Sequence, residues 1–416
     1  MADVAGAGQL AAAVTSGSLS AEEVVTEALT RLQASEDLRA VITVCGERAL
    51  ARARSGVSGR LAGVPLLVKD LIDTAGVRTT YASKIYRDHV PQRNAAAVAA
   101  LEAEGAVVVA KANADESAWG VTGQNPHYGD VVNPRAPGRV SGGSSGGNGA
   151  ALAAGVIPLA LGTDTGGSVR IPAAACGVVG LKPAVGTISV EGAHPLATSF
   201  DTVGPMARSV ADCALAYSVL TGTPVPEPRL AERHVGLLIG PPDITGAGVE
   251  HGRDRRAADL AGRLRSLGAH VSEVELPVPA ADTWPVFYAE AAAAHAATFP
   301  SRGAEYGETV RAKLELAARV GAPELQRARA ALAQWRSQAA TEPAVDLIVS
   351  PTLGLCELPR VGVDELEIRL PLSAYTRPFS YLGWPAIAAG ELQLAGREMS
   401  VVLGAALALE RAGDTR

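Results

Sequence analysis

Two glycine-rich segments of the sequence place serines where a nucleophile could form. SGGSSGGNGA contains Ser144 and Ser145, and LGTDTGGSVR contains Ser168 directly after Gly166 and Gly167. Glycine lets the backbone approach a ligand closely and adopt conformations that are closed to other residues. A serine hydroxyl is too weakly acidic to attack at neutral pH without a base. The two segments therefore predict nucleophilic chemistry if the chain supplies a base for one of these serines.

The candidate bases are histidine and lysine. No histidine lies in a glycine-rich segment, and we interpret each of the seven as a surface or structural residue: His89, His127, His194, His234, His251, His270 and His295. Lys69 instead ends the apolar run LAGVPLLVKD, where loss of water would lower the pKa of its amine from ~10.4 toward neutrality. A lysine at a strand end more often extends to solvent, so Lys69 alone does not decide the chemistry.

Residues 142–146 also match G-x-S-x-G, the nucleophile-elbow pattern of α/β-hydrolases. That fold requires an acid and then a histidine later in the chain, and a strand that leads into the serine. The last histidine is His295, and no strand is predicted directly before Ser144. A histidine-dependent serine esterase stays as an alternative.

Neither glycine segment has the P-loop pattern, and GAGQLA at Gly6 leaves no room for a preceding strand, so no nucleotide site is predicted.

Four longer segments resemble the amidase signature family: GVPLLVKD, SGGSSGGNGAALAAG, LGTDTGGSVRIPAAACGVVGLKP and SFDTVGPMARSVAD. The resemblance extends over residues 18–277, approximately. It implies a Ser–cis-Ser–Lys triad for amide hydrolysis, with Lys69 as base, Ser144 as proton relay and Ser168 as nucleophile. It also implies a cis peptide bond before Ser144, where Gly143 has no Cβ to crowd that bond.

The same resemblance implies how the residues around the triad act. Backbone N–H groups of the nucleophile loop would form the oxyanion hole, and these belong to Thr165, Gly166, Gly167 and Ser168. The loop 118–129 would lie beside the pocket mouth, and the predicted substrate contacts are Trp119, Thr122 and Gly143. We interpret three charged residues as hydrogen-bonded scaffold: Asp164, Arg170 and Asp201. A local aromatic cluster suggests an apolar acyl or aryl pocket, and it consists of Trp284, Phe287 and Tyr288.

The elements that would hold these residues alternate between helix and strand. LSAEEVVTEALTRL predicts a helix with Ser20 and Glu23 as a capping box, and residues 61–70 predict a buried strand. Residues 94–104 predict a helix before the strand AVVVAK, and RAADLAGRLRSLG predicts a helix before the strand AHVSEVELP. This order predicts an α/β fold with a mixed central sheet covered by helices on both faces. We expect one domain over residues 1–416, with its core at about 18–277 and a helical cap over the pocket at about 278–340.

Composition narrows the classes of partner. Apolar residues make up 48% of the 416 residues, which is enough for a large core. The formal charge of −6 and the lack of a basic block disfavour nucleic acid. The four scattered cysteines predict neither a disulfide scaffold nor a zinc site. The most apolar stretch, 150–161, is too short to span a membrane, and the first ten residues lack a secretory pattern. We expect a cytoplasmic protein with no metal, organic cofactor or membrane partner; a homodimer stays open.

The predicted function is hydrolysis of a carboxylic amide, with aryl esters and carbamates as further candidates, through an acyl-enzyme on Ser168. The substrate would be a small molecule. The alternative within the family is the amidase subunit of a glutamyl-tRNA amidotransferase, which would release ammonia from glutamine for a partner subunit. The chain is shorter than most relatives, and FSYLGWPAIAAGELQLAGREMSVVLG lacks the family's proline–glycine turn after the last core strand. Both departures argue against that alternative.

Overall fold

The structure is a computed structural model that describes residues 5–238, 240–242 and 255–413. Its α-helices are α1 Ala7–Thr15, α2 Ala21–Ala34, α3 Gly46–Arg54, α4 Ala96–Ala103, α5 Gly146–Ala153, α6 Arg170–Cys176, α7 Val210–Thr221, α8 Arg255–Ser266, α9 Trp284–His295, α10 Glu308–Ala317, α11 Ala322–Ala339, α12 Glu365–Leu372, α13 Thr376–Tyr381 and α14 Met399–Arg411. Short 3₁₀ helices span Glu36–Leu38, Lys84–Tyr86, Glu116–Ala118 and Gly303–Glu305. Its strands are β1 Val41–Val44, β2 Pro65–Lys69, β3 Val107–Ala112, β4 Leu159–Asp164, β5 Val179–Lys182, β6 Thr202–Ala207, β7 His234–Leu238, β8 His270–Val274, β9 Leu347–Pro351, β10 Ala386–Ala389 and β11 Leu392–Ala395.

The strands form one mixed sheet in the order β1-β3-β2-β4-β6-β5-β10-β11-β9-β7-β8. Strand β2 is parallel to both β3 and β4, and β7 is parallel to both β8 and β9. The remaining neighbours are antiparallel. Parallel pairs require crossover connections, which here contain helices, and this explains the alternation of helix and strand that the sequence shows.

Helices cover both faces of this sheet, as alternate residues of β2 demonstrate. Leu66 and Val68 belong to an apolar cluster that includes residues of α4, α7 and α14. Leu67, between them, belongs to a second cluster with residues of α2, α3 and α5. Because successive side chains of a strand point to opposite faces, the two clusters lie on opposite sides of the sheet. The predicted fold class is therefore confirmed.

The helices and strands expected around the glycine segments are present. Helix α2 begins after Ser20, whose hydroxyl accepts from the Glu23 N–H while the Glu23 carboxylate accepts from the Ser20 N–H, so the capping box is confirmed. Strand β2 is buried along its whole length, as predicted. Helix α4 precedes β3, and α8 precedes β8. The predicted cap region contains α9, α10 and α11, which pack against one another.

The parallel pairing of β2 and β4 determines where the catalytic candidates meet. Val68 of β2 pairs with Leu161 of β4, so the carboxyl ends of the two strands lie at the same edge of the sheet. Lys69 is the last residue of β2, and Thr163 and Asp164 are the last residues of β4. The nucleophile loop, residues 165–169, leaves this edge and enters α6.

Candidate active site

Lys69 is completely buried at the end of β2, and its amine contacts two hydroxyl groups. Lys69 Nζ lies 2.7 Å from Ser144 Oγ and 2.8 Å from Thr163 Oγ1. Burial lowers the pKa of Lys69 to about 7, although the nearby carboxylates of Asp115, Asp164 and Asp201 act in the opposite direction. At physiological pH a substantial fraction of the Lys69 amine is therefore neutral, and the neutral amine can accept a proton from a hydroxyl group.

The peptide bond between Gly143 and Ser144 is cis, as the resemblance implies. The Gly143 N–H donates to the Val121 carbonyl at 2.8 Å. A Cβ on Gly143 would lie 2.3 Å from Asp115 Oδ1, so only glycine fits between this backbone and the buried carboxylate. The Asp115 N–H in turn donates to the Ser144 carbonyl at 3.3 Å. Asp115 and Gly143 thus together fix the backbone that presents Ser144 to Lys69.

Asp115 also organises the loop that leads to this segment. Its carboxylate accepts hydrogen bonds from the N–H groups of Thr122 (3.2 Å) and Gly123 (2.8 Å). Burial and the nearby Glu365 raise the pKa of Asp115 to about 6. Sequence reasoning did not select Asp115, because a lone aspartate within ANADESAWG has no pattern that distinguishes it from a surface carboxylate.

Ser168 lies in the loop between β4 and α6 with 7% of its surface exposed, and it lines a cavity. Its carbonyl accepts a hydrogen bond from the Ser145 N–H at 3.0 Å, which connects the nucleophile loop to the segment that carries Ser144. The structure therefore brings Lys69 and Ser144 into direct contact and joins the Ser168 loop to the same segment through the backbone. Within the described residues the Ser168 hydroxyl itself forms no hydrogen bond, and Ser168 lies at the surface of the cavity.

The backbone of the nucleophile loop presents hydrogen-bond donors next to Ser168. In the part of the chain that the structure describes, the N–H groups of Thr165, Gly166 and Ser168 have no hydrogen-bond acceptor. The Gly167 N–H, by contrast, donates to Asp164 Oδ1 at 2.8 Å. This N–H is thus occupied within the loop, and a role of Gly167 in the oxyanion hole stays a prediction. A φ of +135° and the close approach of Thr376 leave no room for a Cβ at this position.

The buried pair of Asp164 and Arg170 stabilises the nucleophile loop, in line with the interpretation of these residues as scaffold. Both side chains are fully buried, and Arg170 donates from Nε to Asp164 Oδ2 and from Nη2 to Asp164 Oδ1, each at 3.0 Å. Burial alone would raise the pKa of Asp164, but the charges of Arg170 and Lys182 and the hydrogen bonds to the carboxylate together lower it to about 2. Asp201 accepts from the Thr165 hydroxyl at 2.6 Å and fixes the other end of the loop.

The cavity beside Ser168 is small. Its lining comes from the loop 118–121, the nucleophile loop and helices α9, α10, α12 and α13, and the residues are Ala118, Trp119, Gly120, Val121, Thr165, Gly166, Ser168, Leu196, Trp284, Phe287, Lys313, Glu365, Arg369, Ser373, Arg377 and Tyr381. One wall is aromatic, while α10, α12 and α13 supply charged and hydroxyl groups. The arrangement suits a small polar ligand with an apolar portion.

The residues predicted to contact the substrate do not all line the cavity beside Ser168. Trp119 lines the cavity together with two of the predicted aromatic residues, Trp284 and Phe287. Tyr288 packs on the Trp284 ring with 5.5 Å between centroids and is not part of this lining. Thr122 lies in an adjoining cavity that shares Trp119, Gly120 and Glu365 with the first. Gly143 lines neither; it lies behind Ser144 against Asp115.

The cavity also contains residues that sequence reasoning missed: Lys313, Glu365, Arg369, Ser373, Arg377 and Tyr381. They come from three helices beyond residue 300, where the sequence shows only ordinary amphipathic patterns. Thr163, which contacts Lys69, was missed as well. Its position beside Asp164 in the quoted LGTDTGG segment is a signal that could have identified it.

The histidines occupy other environments. His127 bonds to Glu116, His295 to Tyr306 and His89 to Tyr81. His194 stacks on the Tyr81 ring, and His234 packs against His270. Of these six described histidines, none forms a hydrogen bond with Ser144 or Ser168, and His251 lies outside the described residues. Within the same residues, no group of His, Cys, Asp and Glu side chains could hold a metal ion.

The family model described as Amidase matches residues 23–403, which is nearly the whole chain. The chain belongs to the amidase family. The chain is 42% identical over 320 residues to a subunit of the glutamyl-tRNA(Gln) amidotransferase of Roseiflexus sp. strain RS-1, a match that covers 71% of the chain and 65% of that protein. It is 47% identical over 219 residues to the 1-carboxybiuret hydrolase component AtzE of Pseudomonas sp. strain ADP, which covers 50% of the chain and 48% of the relative.

Solved structures resemble the chain over nearly its full length. The complex of 6-aminohexanoate cyclic dimer hydrolase with substrate superimposes with a TM-score of 0.86 at 27% identity, covering 99% of this chain and 97% of that one. The sequence matches, in contrast, cover somewhat less than two thirds of the curated relatives. In the described residues, no helix has the length and apolar character needed to cross a membrane.

Proposed function

We propose that the chain hydrolyses a carboxylic amide through an acyl-enzyme on Ser168, with Ser144 as proton relay and Lys69 as base. The observation that carries this proposal is the contact of 2.7 Å between a fully buried Lys69 amine and Ser144 Oγ. A neutral amine in this position can accept the proton that a serine must lose when it attacks.

The proposed reaction begins with attack of Ser168 Oγ on the amide carbonyl. Ser168 transfers its proton to Ser144, which passes its own to Lys69. The developing oxyanion accepts hydrogen bonds from the free N–H groups of Thr165, Gly166 and Ser168. Such preorganised donors are typically worth about 2.7–4 kcal/mol each when removed.

Collapse of the tetrahedral intermediate requires a proton on the leaving nitrogen. The Lys69 ammonium supplies it through Ser144, and the C–N bond breaks to leave the acyl group on Ser168. Water then attacks the ester by the reverse proton path and releases the acid. In this scheme helices α9 to α11 act as a cap, since α9 and α10 supply Trp284, Phe287 and Lys313 to the cavity.

The test is a screen of alkyl, aryl and carbamate anilides with mass detection of an acylated peptide that contains Ser168. We expect the adduct in the wild type and no turnover by Ser168→Ala. Lys69→Ala should lower kcat/KM by about 10⁴-fold or more. The exposed Ser272→Ala is the matched control and should behave as wild type. Loss of activity on replacing any one histidine, larger than that of Lys69→Ala, would instead support the histidine-dependent esterase.

A second candidate is the amidase subunit of a glutamyl-tRNA amidotransferase. It is supported by the 42% identity over 320 residues to a subunit of such an enzyme. The two candidates share the triad and differ in their dependence on a partner. Glutaminase activity that appears only when partner subunits and glutamyl-tRNA are added would favour the amidotransferase. Hydrolysis of small amides by the isolated chain at ordinary enzyme rates would favour the independent hydrolase.

A further inference from the structure

The cavity beside Ser168 contains more positive than negative side chains. Its positively charged lining residues are Lys313, Arg369 and Arg377, and its negatively charged one is Glu365. Lys313 and Glu365 neutralise each other, because Lys313 Nζ lies 2.5 Å from Glu365 Oε2 and both side chains are buried. Two guanidinium groups are then left without a carboxylate in this cavity.

Two of the three guanidinium nitrogens of Arg369 lack a hydrogen-bond acceptor in the described part of the chain. The Nε and Nη1 atoms are buried, and neither has a partner among residues 5–238, 240–242 and 255–413. A buried charged donor without an acceptor is unfavourable, because it has lost its hydrogen bonds to water and has formed none within the protein. An unsatisfied guanidinium that lines a cavity is therefore a position where a ligand acceptor would be stabilised.

Arg377 lies beside it and is also only partly satisfied. It is 5% exposed, and in the described structure its hydrogen bonds leave from Nη2 alone, to the Arg369 carbonyl (3.3 Å) and to Ser373 Oγ. Both guanidinium groups lie over the Trp284 ring, with Cζ 4.3 Å from its centroid for Arg377 and 5.5 Å for Arg369. The aromatic ring thus stabilises both cations.

We propose that Arg369 and Arg377 form a carboxylate-binding subsite, so that the substrate is an amide bearing a carboxylate. The planar guanidinium forks match a carboxylate in geometry and charge, and bidentate pairs of this kind are stronger than bonds between neutral groups. The aromatic wall formed by Trp119, Trp284 and Phe287 would contact the apolar atoms between the carboxylate and the amide. This inference rests on the proposed function, since it assigns the substrate class of the same cavity.

The kinetic test uses pairs of amides matched in length. Adipamate, with a carboxylate on the acyl side, is compared with hexanamide; N-hexanoylglycine, with a carboxylate on the leaving side, is compared with N-ethylhexanamide. We expect at least one anionic member to be preferred by about 10- to 100-fold in kcat/KM. Arg369→Met and Arg377→Met should each remove most of that preference, measured as the ratio of kcat/KM between the anionic and the neutral member of the same pair. The exposed Arg327→Met is the control for loss of one positive charge.

A binding measurement separates this inference from the proposed catalytic function. Calorimetry should detect binding of adipate to Ser168→Ala, and adipate should inhibit hexanamide hydrolysis by the wild type. Adding Arg377→Met to Ser168→Ala should weaken adipate binding at least tenfold. Adipate binding by a protein that hydrolyses no amide would refute the hydrolase and retain the subsite. Equal kcat/KM for anionic and neutral members, together with no adipate binding, would overturn the subsite even if Ser168 is acylated.

Discussion

At the level of single residues, the contacts of the buried lysines distinguish the proposed base from the structural ones. The amine of Lys182 donates to the carbonyls of Pro183 and Trp384, each at 2.9 Å. Lys313 is paired with Glu365 and donates to the Trp119 carbonyl. The Lys69 amine instead contacts the hydroxyl groups of Ser144 and Thr163. Lys111 is also buried and contacts hydroxyl groups, those of Thr74 and Thr79. Lys69 differs because one of its hydroxyl partners, Ser144, belongs to the segment that bonds to the Ser168 loop.

The pKa of Lys69, lowered to about 7 by burial, predicts the pH profile. The base must be neutral, so kcat/KM should rise with pH through about 7 and level off above it. Lys69→Ala should remove this limb as well as most of the activity. Lys182→Met is the matched control, because it removes another buried lysine but should keep the limb. A wild-type profile that is flat between pH 6 and 8 would contradict the role of Lys69.

Gly143 provides a steric prediction at the same scale. Gly143→Ala places a Cβ 2.3 Å from Asp115 Oδ1, so the Ser144 backbone or the Asp115 loop must move. We expect a loss of more than about 100-fold in kcat and a lower melting temperature, since overpacking typically costs about 1–3 kcal/mol. Gly262→Ala, in α8 with open space around it, is the control and should be neutral or slightly stabilising. Wild-type kinetics for Gly143→Ala would refute this account.

At the level of elements, one buried arginine connects the nucleophile loop to the C-terminal part of the sheet. Arg170 of α6 pairs with Asp164 at the end of β4 and also donates to the Thr376 carbonyl, Ser380 Oγ and Gln393 Oε1. These acceptors lie on α13 and β11, more than 200 residues away in the chain. The position of Ser168 therefore depends on strands and helices that form from distant segments.

Arg170→Met should strongly destabilise the protein. It leaves Asp164 charged and buried, and breaking one half of a buried pair typically costs about 3–5 kcal/mol. Urea unfolding at neutral pH would measure the change, and the double variant Asp164→Asn, Arg170→Met should recover part of it. Arg54→Met removes an exposed pair with Glu22 and should cost far less, because solvent and salt screen such a pair. Similar costs for the two arginine variants would contradict the anchoring role.

At the level of the whole molecule, the large sheet buries ionisable groups at many places. Lys69 and Lys182 have pKa values lowered to about 7 by burial, and that of Lys111 is lowered to about 8. In the unfolded chain each would titrate near ~10.4. The unfolded state therefore binds more protons than the folded state in the range above pH 7. By linkage, the free energy of unfolding rises with pH in this range.

We predict that the free energy of unfolding is larger at about pH 8.5 than at about pH 7, by about 1 kcal/mol or more. Urea titrations followed by tryptophan fluorescence would measure it. Lys182→Met should make the pH dependence shallower because it removes one of the contributing groups. Lys84→Met, at an exposed position, should leave the slope unchanged. If the free energy of unfolding decreased from pH 7 to pH 8.5, the buried lysines would not control its pH dependence.

The sequence by itself predicted the elements and residues whose signals are local. The capping box of α2, the buried strand that ends at Lys69 and the paired serines and glycines all lie within short segments, where residue type and spacing are directly informative. The family resemblance added the cis peptide bond before Ser144, which the structure contains. Local patterns suffice here because capping, strand burial and glycine-dependent backbone geometry involve neighbours in the chain.

Only the tertiary structure determined which distant side chains share the cavity. Lys69 meets Thr163 because β2 and β4 pair in parallel, and Arg369 and Arg377 join Ser168 because α12 and α13 pack over the nucleophile loop. No spacing in the sequence encodes these relations. They arise from sheet order and helix packing, which depend on contacts between segments that are distant in the chain, such as Lys69 and Thr163, 94 residues apart.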